Sequence, residues 1–147
     1  MYSQGAPWEF FYCKNSYTPY DACMKSHILI IDTAHPTARI ILVDDEKTLA
    51  VREWPNTPKV GTDLLIYIEE VLQEAGVEKS SLARIGVHAG PGSYGLVRTG
   101  IVTGTVLAQA VGAELVSLQG ETVDELVENA CKIKATPSVV PRYKEVK

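Results

Sequence analysis

The fold is decided by one stretch of sequence, Arg84-Ile85-Gly86-Val87-His88-Ala89-Gly90-Pro91-Gly92-Ser93-Tyr94. Its first six residues, 84–89, predict a buried β-strand, and the two glycines and the proline that follow predict a tight turn. The turn leads into an apolar helix that runs to about Val111. A strand, a short turn and a helix in this order form a β-α unit, which is the building block of an α/β fold.

Upstream of this unit the pattern is that of consecutive strands. Ile28 to Ile31 is an unbroken apolar run that ends at Asp32-Thr33, as expected for a central strand buried on both faces. Thr37 to Val43 is a second β-branched run, and Lys47 to Trp54 alternates apolar and polar residues after the turn 44–46. These segments predict an antiparallel meander of three strands.

The helices complete the order of elements. The first is predicted from a cap at Thr62 to Gly76, and its apolar face is wider than one contact with a sheet requires. A short strand at Glu114 to Ser117 and a third helix at Glu121 to Ala130 follow the second helix. The order β-β-β-α-β-α-β-α predicts an α/β fold: one actin-like (ribonuclease-H-like) lobe, with a mixed sheet in which the meander is followed by β-α units.

Composition limits the classes of function. The chain has 147 residues, of which 46% are hydrophobic, and a net charge of −4. That length predicts one domain with a real core, and the negative charge argues against unaided binding of a polyanion such as tRNA. No apolar run approaches the roughly 20 residues that span a bilayer, and three cysteines without CxxC spacing favour a reducing compartment. We therefore expect a cytoplasmic protein without a membrane contact.

The chain divides into three segments. Residues 1–23 contain seven of the eleven aromatic residues and show neither helical nor strand periodicity, so we interpret them as an N-terminal arm or a leader that is not native. Met24-Lys25-Ser26 resembles a natural start immediately before the first strand. Residues 24–133 form the lobe, and residues 134–147 are a basic tail or the stub of a second lobe, with one candidate strand at 138–140.

Few residues form a pattern that predicts chemistry. The turn Gly90 to Ser93 could hold a phosphate on the main-chain N–H groups that begin a helix, but it is also what a plain β-α turn requires. Asp32 could hold a metal ion or its waters, or could only fix the turn after its strand. His27, His35 and His88 lack ligand spacing, so we expect surface or turn histidines and no metal site. No nucleophile has a recognisable base, and no catalytic residue is predicted.

Three segments together resemble the TsaB (YeaZ) family. They are the run Ile28 to Thr33, the helix end Ile68 to Gly76, and Gly90-Pro91-Gly92-Ser93-Tyr94 with Arg98 and Gly100. The resemblance covers roughly residues 25–130. Three features depart from the family pattern: Gly95 and Leu96 stand where Thr and Gly are usual, Val60-Gly61 replaces a His-Ser pair, and the chain ends soon after the first lobe.

The resemblance implies a non-catalytic scaffold subunit of the machinery that makes threonylcarbamoyladenosine in tRNA. Such a subunit binds a TsaD-like transferase, which holds the metal, and works with a TsaE-like ATPase. It contacts tRNA only indirectly. The implied contact uses the first two helices, and the chain could also pair with a second copy through the same surface or through the small residues 100, 104 and 108. The predicted partner-binding residues are Leu65, Tyr67, Leu72, Val97, Ile101, Gly104 and Ala108.

The same resemblance implies a degenerate nucleotide site. No cofactor is required, but weak ATP or ADP binding is expected at the partner interface through Asp32, Thr33, Gly90, Gly92 and Ser93. The alternative function is an actin-like nucleotide-binding enzyme that uses Asp32 and the Gly90 to Ser93 turn. A glycoprotease is least supported, because the chain has no His-x-x-x-His metal motif.

Overall fold

The computed structural model of the protein describes residues 26–57 and 60–143, with the side chains of the first helix described from residue 63. The predicted arm or leader at residues 1–23 and the last four residues lie outside the described part. The described elements, in chain order, are β1 (His27–Asp32), β2 (Thr37–Asp44), β3 (Lys47–Pro55), α1 (Val60–Ala75), a 3-10 turn (Lys79–Ser81), β4 (Leu82–His88), α2 (Tyr94–Val111), β5 (Glu114–Leu118) and α3 (Val123–Lys132).

The five strands form one mixed sheet in the order β3-β2-β1-β4-β5. The meander is confirmed: β1 and β2 are antiparallel with Ile30 opposite Ile41, and β2 and β3 are antiparallel. Asp45 and Glu46 have positive φ angles of 50° and 65°, the conformation that a two-residue hairpin turn requires. β4 and β5 are parallel to β1, as the predicted β-α units require.

The helices cover both faces of the sheet. Leu64, Ile68 and Leu72 of α1 share one apolar core with Val97 and Ile101 of α2. On the opposite face, Leu126, Val127 and Ala130 of α3 pack in a second core. The sheet is buried on both sides, which explains why its central strands are continuous apolar runs.

Some element ends differ from the sequence prediction. α1 begins at Val60, two residues before the predicted cap. α3 begins at Val123 and not at Glu121, because the Thr122 hydroxyl accepts a hydrogen bond from the Glu125 N–H (3.1 Å) and so caps the helix. β4 begins at Leu82 and ends at His88, and β5 extends to Leu118.

The segment after α3 runs along the lobe. Residues 138–140 are described, and they do not form the strand suggested by their sequence. Instead the Thr136 N–H donates to the Leu115 carbonyl (2.7 Å), Val139 is buried in the larger core, and the Arg142 N–H donates to the Ala89 carbonyl (2.7 Å). The boundary at residue 133 stays a prediction, but residues 136–142 contact the lobe.

Candidate functional site

The candidate site lies at one edge of the sheet, where β1 and β4 end side by side. Because these strands are parallel, Asp32 at the end of β1 and His88 at the end of β4 lie at the same edge. In open α/β sheets, ligands bind at the carboxyl ends of strands. The loop after β1 and the glycine turn after β4 therefore border the place where this fold class puts its chemistry.

Asp32 is fully buried, and its carboxylate is surrounded by donors. One oxygen, Oδ1, accepts the Ala34 N–H (3.0 Å), which closes the turn that the sequence suggested. The other, Oδ2, lies 2.7 Å from Nδ1 of His35 and 3.9 Å from Nε of Arg39, which stands opposite Asp32 on β2. A buried carboxylate needs such partners, because an isolated charge is costly away from water.

His88 is also buried, and both of its ring nitrogens have main-chain partners. The Gly90 N–H lies 3.0 Å from Nδ1, so Nδ1 is the acceptor, and Nε2 donates to the Gly120 carbonyl (2.8 Å). Burial lowers the pKa of His88 below the usual imidazole value, and the charge of Asp32 opposes this effect only in part. The neutral form of His88 is therefore favoured at neutral pH.

These residues form a cluster that the sequence analysis missed. One ligand atom each of Asp32, His35 and His88 can be chosen so that all lie within 4.8 Å of one another, and the two imidazole rings meet edge to face at 4.8 Å between centroids. The expectation of a surface or turn residue is wrong for His88. The sequence offered no local signal, because 53 residues separate the two histidines and only the parallel pairing of β1 with β4 brings them together.

Asn56 holds the loop that carries His35. Its side-chain nitrogen donates to the carbonyl oxygens of Thr33 and His35, both at 2.8 Å. The loop position therefore depends on Asn56, the residue just after β3.

The glycine turn is in contact with its own chain. A Cβ atom on Gly90, whose φ angle is +100°, would meet the Arg142 carbonyl at 2.1 Å, and one on Gly92 would meet the Ala34 carbonyl at 2.7 Å. Gly92 and Tyr143 also form an isolated bridge. Close packing of main chain against main chain thus accounts for both glycines, and Ser93 precedes α2 as its exposed N-cap residue.

Thr33 has a structural contact of its own. Its hydroxyl donates to the Leu96 carbonyl at 2.7 Å, and a Cβ atom on Gly100 would lie 2.3 Å from that hydroxyl oxygen. Gly100 is therefore small so that α2 can approach the end of β1. Nucleotide binding by Thr33 and the other four predicted residues stays a prediction.

The structure separates the predicted partner-binding residues into two groups. Leu65 on α1 is exposed, and Tyr67 is partly buried with its ring 4.4 Å from that of Trp54. The others are buried in the chain; they are Leu72, Val97, Ile101, Gly104 and Ala108. Partner binding by all seven residues stays a prediction, and for these five it would require side chains that pack in the core of the single chain.

Other apolar residues of the same two helices are exposed. Ile66 on α1, and Val102 and Val106 on α2, each expose more than half of their surface, as Leu65 does. α1 and α2 cover the same face of the sheet, so these four side chains lie on the outer side of one helical layer. We refer to Leu65, Ile66, Val102 and Val106 as the apolar helix face.

No helix within residues 26–57 and 60–143 is both long enough and apolar enough to cross a membrane.

Comparisons with known proteins agree with this fold. Residues 62–141, more than half of the chain, match the family described as TsaD: tRNA N6-adenosine threonylcarbamoyltransferase. A tRNA N6-adenosine threonylcarbamoyltransferase of Erythrobacter litoralis (strain HTCC2594) is 43% identical over 51 residues, which is 35% of this chain and 15% of the relative. The chain thus matches only a small part of that relative's length.

Two solved structures share the fold. YeaZ from Pseudomonas aeruginosa superposes with a TM-score of 0.58, and an uncharacterized protein with similarity to peptidase YEAZ, also from Pseudomonas aeruginosa, with a TM-score of 0.60. Each is 24% identical, and each match covers 64% of this chain and 43% of the other. The resemblance to TsaB and the predicted actin-like lobe are confirmed in the fold that the chain shares with YeaZ, and the matched residues show that the chain belongs to the TsaD family.

Proposed function

We propose that the chain takes part in the biosynthesis of threonylcarbamoyladenosine in tRNA, as a non-catalytic subunit that binds a TsaD-like transferase. Membership of the TsaD family and the fold shared with YeaZ support the pathway. The net charge of −4 supports a role in which the partner, and not this chain, contacts the tRNA. A TsaE-like ATPase is the expected third component.

The apolar helix face is the observation that carries the partner role. Leu65 and Ile66 are consecutive residues of α1, and both side chains are exposed. Val102 and Val106 are one turn apart on α2 and lie on the same side of that helix. Removal of such side chains from water favours association, and the net affinity is what remains after the entropy cost of binding. Four large apolar side chains exposed on one helical layer are more than a single scattered surface residue and are consistent with an interaction site.

The direct test is binding to the TsaD-like protein of the same genome. We expect a mixture of the two proteins to elute as one complex in size-exclusion chromatography at micromolar concentration. Val102→Asp and Leu65→Asp should each weaken that complex by about tenfold or more, because each places a charge in a desolvated interface. Isothermal titration calorimetry measures the change.

Val140→Asp is the matched control. Val140 is also an exposed valine, but it lies on the segment after α3 and outside the apolar helix face. Its replacement should leave the affinity unchanged. Two independent elution peaks for the unmodified proteins, or a Val102→Asp variant that binds as tightly as the unmodified chain, would contradict the proposal, and so would a chain that pairs only with itself.

The alternative function, a nucleotide-binding enzyme, makes a different prediction. An enzyme that uses Asp32 and the Gly90 to Ser93 turn binds ATP and magnesium in the absence of any partner. The contacts of Gly90 and Gly92 with the main chain of Arg142 and Ala34 support the scaffold instead, since they account for both glycines without a phosphate. Titration of the isolated chain with ATP and magnesium distinguishes the two functions.

A further inference from the structure

We propose that Asp32, His35 and His88 form a binding site for one divalent transition-metal ion of the zinc, cobalt and nickel class. The inference is independent of the proposed scaffold role. It rests on the three donors that the fold brings together from the end of β1, the loop after it and the end of β4.

The donor set suits such an ion. Two imidazoles and one carboxylate are ligands that zinc and its neighbours accept, and three protein ligands leave a fourth position open. The chosen ligand atoms lie within 4.8 Å of one another, whereas a tetrahedral ion spaces its ligand atoms about 3.4 Å apart. Side-chain adjustments of about 1 Å would therefore close the site around an ion.

One existing hydrogen bond already orients a side chain that would bind the metal ion, His88. Metal-binding histidines commonly donate their other ring N–H to a carbonyl or carboxylate, and Nε2 of His88 already donates to the Gly120 carbonyl. Nδ1 of His88 is the atom that would coordinate the ion, and the Gly90 N–H that it now accepts would have to turn to another acceptor. Nδ1 of His35 and Oδ2 of Asp32 lie 2.7 Å apart, and the ion would sit between them, with Nδ1 offering its lone pair and the ring hydrogen carried on Nε2.

The types of ligand in the cluster favour a transition metal over calcium or magnesium. Asp32 is its single carboxylate, and the Arg39 guanidinium lies 3.9 Å from the same Oδ2 atom. Calcium and magnesium prefer sites built from several oxygen ligands, so a cluster with one carboxylate suits them poorly, whereas the Arg39 charge opposes any divalent ion alike. Imidazole nitrogens are neutral donors, and they favour the transition metals.

The test is titration of the full chain with zinc, in a background where Cys13, Cys23 and Cys131 are replaced by Ser so that thiols cannot bind the metal. We expect one zinc ion per chain by isothermal titration calorimetry. Cobalt bound at the site should show visible d–d absorption, and excess magnesium should not displace either ion. His35→Ala should lower the zinc affinity at least tenfold.

His27→Ala is the matched control, because His27 lies at the opposite end of β1 near Asp44 and outside the cluster. The zinc affinity of the His27→Ala variant should equal that of the cysteine-free chain. His88→Ala removes a buried side chain, and that variant can fail to fold. The decisive variant is therefore His35→Ala, because His35 is partly exposed. Circular dichroism confirms that this variant is folded. Absence of zinc binding by the cysteine-free chain, or equal binding by His35→Ala, overturns the proposal.

Discussion

At the scale of single residues, the site depends on two buried polar side chains whose partners come from different elements. Asp32 receives the Ala34 N–H and the His35 ring, and His88 is held between the main chain of Gly90 and that of Gly120. A buried donor or acceptor without a partner is destabilising, so each of these hydrogen bonds also fixes a loop. The edge of the sheet is therefore ordered before any ligand binds.

The buried state of His88 predicts a pH dependence of stability. Its pKa is lowered in the folded protein by burial, despite the nearby Asp32 carboxylate, with further lowering by His35 and Arg39. The unfolded chain therefore binds a proton more readily. Stability from His88 is fully present above about pH 6.5 and is lost as the pH falls below it, by at most about 1.4 kcal/mol per pH unit.

Urea unfolding between pH 7.5 and 5.5, with a chelator present, checks this prediction. His88→Gln should be less stable throughout but should lose part of the slope with pH. His27→Gln, at the partly exposed start of β1, is the control and should keep the slope of the unmodified chain. An unchanged slope in His88→Gln would show that other groups cause the pH dependence.

At the scale of elements, α2 shows how a helix that is apolar almost all round divides its surface. Its residues Gly100, Gly104 and Ala108 face the sheet, and Val102 and Val106 face outwards. The sequence suggested these small residues as a surface for a second copy of the chain. In the structure they pack against the sheet, because a Cβ atom on Gly104 would lie 2.3 Å from Cγ2 of Val87 on β4.

Two glycines of α2 therefore predict opposite effects of alanine. Gly104→Ala should destabilise the protein by about 1–3 kcal/mol, because the added methyl group overpacks the contact with Val87. Gly95→Ala should be neutral or stabilise by up to about 1 kcal/mol, since a Cβ atom there would meet no described atom within 4 Å apart from its chain neighbours and the backbone of its own helix, and alanine favours the helix. Thermal and urea unfolding measure both, and equal effects would contradict the assigned packing.

At the scale of the whole molecule, the segment after α3 contributes to the core of the lobe. Val139 is buried in the larger core, while its neighbour Val140 is exposed. Val139→Ala should cost about 1.5–3 kcal/mol of unfolding free energy through lost burial and the cavity that remains. Val140→Ala should change stability by less than about 0.5 kcal/mol.

Denaturant unfolding of the two variants decides whether this segment is part of the cooperative unit. If Val139→Ala is as stable as Val140→Ala, residues 136–142 do not pack on the lobe in solution. The sequence could not predict this contact, because a single valine in a polar, proline-containing segment shows no periodicity.

Periodicity in the sequence determined the order of strands and helices and the mixed sheet, because apolar spacing fixes the type of each element and the face that it buries. Residue type predicted a turn at 44–46, where the structure has the two-residue turn Asp45-Glu46, and the end of the first helix at Gly76, directly after the last residue of α1. Only the tertiary structure decided which apolar residues of α1 and α2 are exposed, because both helices carry more apolar surface than the sheet covers. Only parallel pairing of β1 with β4 could bring His88 to Asp32 and His35, since contact between residues 53 positions apart leaves no local pattern.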